Sequence, residues 1–161
     1  MFMCEDNNQD IALQTKVLEC LKQMISNDMK QASPANINFY CKTQPSISVP
    51  QYSERIFKYA TCSSQSAVLA LIYINLYLLN TASTLNPMNG HRIIIVAFML
   101  ADKFLHDEPL DNNSYAYIGG ISVREVNMLE REFLRCINFS LHVQSEKFEE
   151  FYKSIMSIDE K

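Results

Sequence analysis

The chain of 161 residues is 48% hydrophobic and 20% charged, the balance of one globular domain with a real core and not of a disordered chain. Its net charge of -4, from 14 basic and 18 acidic residues with no block of Lys or Arg, excludes the electrostatic footprint of a nucleic-acid binder. Five cysteines (Cys4, Cys20, Cys41, Cys62, Cys136) have neither CxxC pairing nor metal-ligand spacing, which points to reduced structural thiols and to the cytoplasm and/or nucleus.

The start, MFMCEDNNQD, turns acidic at once, unlike a signal peptide, and the longest apolar runs are about half of the roughly 20 residues a membrane span needs. A soluble intracellular protein without a membrane partner is expected. Residues 9–29 carry Ile11, Val17, Leu18, Leu21, Met24 and Ile25 at helical spacing and read as an amphipathic helix. QASPANINFYCKTQPSISVP, 31–50, breaks the pattern and reads as a loop. Pro50 suits the first turn of a short helix with Tyr52, Ile56, Phe57 and Tyr59, ending near Cys62.

Ser63 or Ser64 can cap the next helix, AVLALIYINLYLL, which is apolar nearly all round. NTASTLNPMNG closes it, and Asn86 or Asn89 can cap a helix holding nine unbroken apolar residues from Ile93 to Ala101. Between Ala60 and Ala101 the only charged residue is Arg92, so these two helices are expected at the centre of an all-α bundle. DEPLDNNSYAYIGG follows as a loop with a short helix ending at Gly119 and Gly120. Ser122 and Glu125 form a capping box ahead of Val126, Leu129, Phe133 and Ile137, which predicts a helix over 122–137. A last helix begins at Ser145 with Phe148, Phe151, Tyr152 and Ile155 on one face.

Two charges interrupt apolar stripes. Glu130 lies among Val126, Leu129, Phe133 and Leu134, and Lys103 among Val96, Met99, Leu100 and Phe104. Desolvating an ion costs several kcal/mol, so each needs a partner. Pairing with each other, or capping by Lys103 of its own helix end, is one account. A recognition surface is the other, since an apolar patch with a few fixed polar groups suits a partner.

The order RIFKYATCS, LALIYINLYL, NGHRIIIVAFMLADKFLHD and YAYIGGISVREVNMLEREFLRCINFSL resembles the cyclin box, in particular the single-box cyclins of the phosphate-regulon (P/U) type, over about residues 47–142. The resemblance implies a five-helix cyclin-box bundle, 49–142, with an N-terminal helix and loop, 1–48, and a C-terminal helix, 143–161. It implies a regulatory subunit that forms a heterodimer with a cyclin-dependent kinase, with no catalysis and no cofactor. In that family the residues matching Lys103 and Glu130 hydrogen-bond the kinase near the start of its mobile C-helix, and Leu100, Phe104, Leu134 and Phe139 would supply the surrounding apolar contact. Kinase activity depends on where the C-helix places its glutamate, so the cyclin activates by positioning it.

One position departs from the family. Cyclins set an arginine of the first box helix, here Arg55, against an acid that is Asn75 in this chain. If buried, Arg55 needs another counter-ion; otherwise it reaches water. YSERIFKY lacks the substrate-docking motif of other cyclins. Three glycines build no phosphate loop, and His91, His106 and His142 stand without catalytic context. The competing reading is a cyclin-fold scaffold or transcription adaptor that does not activate a kinase.

Overall fold

These periodic stretches form seven α-helices and no strand among the residues described by the computed structural model, 3–26, 36–60 and 62–158, with side chains described from residue 8. They are α1 (Met3–Met24), α2 (Val49–Ala60), α3 (Ser64–Thr81), α4 (Gly90–Leu105), α5 (Asn112–Gly119), α6 (Val123–Cys136) and α7 (Ser145–Met156). The all-α architecture is the expected one.

The two helices of the charge-poor stretch from Ala60 to Ala101, in which Arg92 is the one charge, are the two at the centre. α3 is buried from Ser66 to Ile74 and α4 at every position from Gly90 to Ala101 except Arg92. They pack side by side; α2, α5 and α6 surround α4, while α1 and α7 cover α3. The five helices α2 to α6 are thus a bundle about α4, flanked by α1 and α7.

Local chemistry sets the boundaries. Ser63 is the cap of α3 and accepts from the Ser66 backbone N–H. Of the two asparagines before α4, Asn89 occupies the cap position, but its Oδ1 accepts from the Asn86 N–H at 2.8 Å and caps no helical N–H. Both side chains instead close the turn, since Asn86 Oδ1 accepts from Met88 N–H. α5 is capped by Asp111, which accepts from Ser114 N–H and holds its carboxyl below the ordinary range. It ends at Gly120, whose φ of +67° belongs to the left-handed region that glycine enters freely.

The capping box of α6 forms as expected, with Glu125 N–H donating to Ser122 Oγ at 3.1 Å and Ser122 N–H to the Glu125 carboxylate. Ser122→Ala should therefore lower stability by about 1 kcal/mol, read as a shift in denaturant midpoint with an unchanged m-value.

α1 stops at Met24, not at 29: Ser26 N–H donates to Leu85 O at 2.7 Å, which draws the chain off the helix axis. The end of that predicted helix, 27–29, and the start of the predicted loop lie outside the described residues. The rest of the loop is a 3-10 turn, Ile37–Phe39, that inserts Phe39 fully into the core. Arg92 explains why this aperiodic segment is held. Its guanidinium donates to Asn38 O (3.1 Å), Tyr40 O (3.0 Å) and Glu125 Oε1 (2.9 Å), which also satisfies the one charge on the buried stretch of α4. At the other end, Lys16 of α1 donates to Ile158 O just beyond α7.

Candidate functional site

Burial along α4 is lost at its last turn. Up to Ala101 every face is covered, Asp102 and Lys103 are half-buried, and Phe104 and Leu105 are exposed. α6 runs beside this end and presents Glu130. The two misplaced charges meet there: Lys103 Nζ lies 2.6 Å from Glu130 Oε1, with side chains 31% and 18% exposed. The pair answers the burial problem read from the sequence. A partly exposed pair of this kind contributes about 0.2–1 kcal/mol, which uncharged residues could match.

Further polar groups surround the pair. Asn112 Nδ2, at the start of α5, donates to Glu130 Oε2 at 2.9 Å and to Asn127 Oδ1 at 2.6 Å. Asp102 accepts from the Tyr115 hydroxyl (2.6 Å) and Leu110 N–H (3.2 Å), and its other oxygen is 2.8 Å from His106 Nδ1. Burial and then the Asp102 carboxylate push the Tyr115 hydroxyl pKa upward, so it stays a donor. Asp102, Asn112 and Tyr115 were not singled out from the sequence; two lie in or beside a polar stretch that looks like any loop, and apart from the Asp102–His106 contact their partners are 8 to 18 residues away.

Apolar side chains flank this cluster. Phe104 is 44% and Phe139 65% exposed, and Leu134 is half-buried against the core. Leu100 departs from the expectation of surface contact. It is 3% exposed, because α4 is still covered on all faces at that level, so it belongs to the core and not to the surface. Phe139 has φ of +57° and follows Asn138 at +54°. A bulky residue in the left-handed region costs about 1–3 kcal/mol. Phe139 N–H bonds to Leu134 O at 2.8 Å, which ends α6 and leaves the ring in solvent.

Arg55 and Asn75 do not act on one another among the described contacts. Arg55 is exposed; its Nε donates to Ile118 O at 2.8 Å and its guanidinium lies 5.5 Å from the centre of the Tyr59 ring. It needs no buried counter-ion.

Elsewhere, Cys20, Cys41, Cys62 and Cys136 are free and half-buried, and burial raises each thiol, Cys62 to about 12. Among the described residues no three of His, Cys, Asp or Glu gather to hold a metal, and no helix is long and apolar enough to cross a membrane.

His91 is buried at the start of α4. Its Nε2 donates to Ile47 O at 2.8 Å, while Nδ1 has no partner, and burial lowers its pKa. The folded state therefore binds its proton more weakly than the unfolded chain. Stability should fall as pH drops below the unfolded value of about 6.5, and His91→Gln should flatten that loss, as read by urea midpoints at pH about 7.5 and about 5.

Comparison with known proteins shows the family. The cyclin family model matches residues 5–141. Cyclin-U3-1 of Arabidopsis thaliana is 42% identical over 117 residues, 72% of this chain and 53% of that protein. Cyclin-U4-1 of the same plant is 39% identical over 115 residues, 71% of this chain and 57% of that protein. Cyclin-P3-1 of Oryza sativa subsp. japonica is 39% identical over 123 residues, 76% and 51% of the two chains. The chain spans about half the length of the curated relatives it matches. All-helical, matched along most of its length, and similar to plant U- and P-type cyclins, this chain belongs to the cyclin family.

Proposed function

We propose that the chain is the non-catalytic regulatory subunit of a cyclin-dependent kinase, acting in the cytoplasm and/or nucleus. In this reading it binds the kinase near the start of the C-helix through Lys103, Glu130, Phe104, Leu134 and Phe139. By binding the inward C-helix position more tightly than the outward one, it shifts the kinase population toward the active state.

The observation that carries the reading is the paired charge at the uncovered end of α4. The ammonium has three N–H donors and spends one on Glu130, and the carboxylate keeps unused lone pairs. Donor and acceptor thus stand together amid exposed aromatic surface, as a peptide backbone requires. The modest value of the pair for folding gives no reason of its own for two charges here.

The test is a pull-down from native extract with wild type beside Lys103→Ala/Glu130→Ala, reading co-purified kinase and its activity. Removing one side of a buried polar contact costs about 2–5 kcal/mol, or roughly 30-fold to several-thousand-fold in affinity. Kinase held by wild type and lost with the folded variant supports the reading. A folded wild type that holds no kinase replaces it with the scaffold, and a variant that holds kinase equally overturns Lys103 and Glu130 as the contact.

A further inference from the structure

The second oxygen of Glu130 is not left to solvent. Lys103 occupies Oε1 at 2.6 Å, and Asn112 Nδ2 donates to Oε2 at 2.9 Å from a different helix. The same nitrogen reaches Asn127 Oδ1 at 2.6 Å. An amide nitrogen carries two N–H groups, so both bonds are made at once. Asn127 stands three residues before Glu130 on α6, hence on the same helical face. One side chain therefore spans a turn of α6 and ends on the carboxylate.

Asn112 is itself held from both sides. It is the first residue of α5, directly after the capping Asp111, so its backbone conformation is set by that cap. On either side of it, Leu110 N–H and the Tyr115 hydroxyl bond to Asp102, the residue before Lys103. The start of α5 is thus tied to the end of α4 through Asp102 and to α6 through Asn112. Lys103 and Glu130 come from different helices, and this turn bridges the two.

We propose that Asn112 is a positioning residue for the partner contact of Glu130. A glutamate carboxylate on a helix surface rotates among several rotamers, and a partner backbone can meet it in only one of them. Asn112, already fixed by the α5 cap, holds the carboxylate in a single orientation beside Lys103 before the partner arrives. The partner is then spared the ordering of a free side chain. This inference rests on the kinase reading above, and touches the partner only through Glu130.

The experiment uses the full chain and the kinase recovered with wild type, produced recombinantly, with affinity measured by calorimetry. A hydrogen bond to a charged group is worth about tenfold or more. Asn112→Ala should weaken binding about tenfold, and Asn112→Asp, which sets a carboxylate against Glu130, should weaken it further. In a Glu130→Ala background Asn112→Ala should have no further effect, because its role passes through that carboxylate. Asn112→Ala binding like wild type, or an equal loss with and without Glu130, overturns the proposal. A crystal structure of Asn112→Ala without kinase gives an independent readout: Glu130 in more than one rotamer supports the proposal, and an unchanged single rotamer overturns it. If wild type recovers no kinase, the kinase reading fails while the rotamer measurement still decides whether Asn112 orients Glu130.

Discussion

Exchanging the two charges, as Lys103→Glu with Glu130→Lys in one chain, should restore the stability that like-charge repulsion removes in either single change and leave kinase binding weakened. Each single variant places like charges where the native ions stand 2.6 Å apart. Both side chains are partly exposed, so solvent screens the repulsion and the cost is about 1 kcal/mol in unfolding free energy. The swapped pair recovers the charge-repulsion part of that loss, since the attraction between two ions does not depend on which helix carries which sign; the Asn112 bond to Glu130 Oε2 is not recovered, because an ammonium accepts no hydrogen bond. A kinase backbone docked as proposed would distinguish them, because its carbonyls and amides would meet a donor on α4 and an acceptor on α6. Affinity should therefore stay about 2–5 kcal/mol below wild type in the swap, read by calorimetry beside thermal unfolding. A swap that regains both properties would show that the pair serves the fold alone.

Phe133→Ala should have the largest effect on the fold. Its ring is fully buried, stacked on Tyr77 at 4.9 Å and 14°, and edge-on to Phe39 at 6.1 Å. Phe39 and Tyr77 also touch, at 5.1 Å, so the three rings join α6, α3 and the 3-10 turn. Removing a buried phenyl costs about 3–5 kcal/mol in lost transfer energy and residual cavity. That is a large share of the roughly 5–15 kcal/mol a domain has in hand. The denaturant midpoint should fall accordingly, and exchange of the amides in 36–41 should quicken as the turn loses its anchor. Tyr77→Phe is the control. The Tyr77 hydroxyl is buried without a hydrogen-bond partner, so deleting it should leave the midpoint unchanged or raise it.

How far each feature could be read depends on where its partner lies in the chain. The capping box at Ser122 and Glu125 was legible because both halves sit within one turn, and the periodicity behind it agreed. The central place of α3 and α4 was legible because a segment with one charge in forty residues has nowhere else to go. The conflict at Lys103 and Glu130 was visible in each helix separately, and pairing between them was one of two accounts offered. The cyclin resemblance was read over 47–142, and the family match runs over 5–141, which takes in α1 as well.

Other features were decided across the chain. Arg55 was set against Asn75 by family pattern, yet its Nε bonds to Ile118, 63 residues away, and its head is in water. Leu100 and Phe104 share a helical stripe and were taken together as surface. Burial near the end of α4 follows position along the axis, so Leu100 is core and Phe104 is not. Phe39 looked like a loop aromatic and is fully buried, because Arg92 collects the carbonyls on either side of it. Asn112 looked like one polar residue in a polar run.

By itself the sequence determined the all-helical class, the central pair of helices, the capping box at Ser122 and Glu125, and the two charges that apolar stripes cannot explain. These follow from patterns of 3.6 residues and from the cost of burying ions, both properties of a short stretch of chain. Only the tertiary structure decided that Lys103 and Glu130 meet, that Asn112 holds the second oxygen of Glu130, and that Phe104 and Phe139 stay uncovered. Each of those contacts depends on how helices end and cross, which summed packing settles and no local pattern encodes.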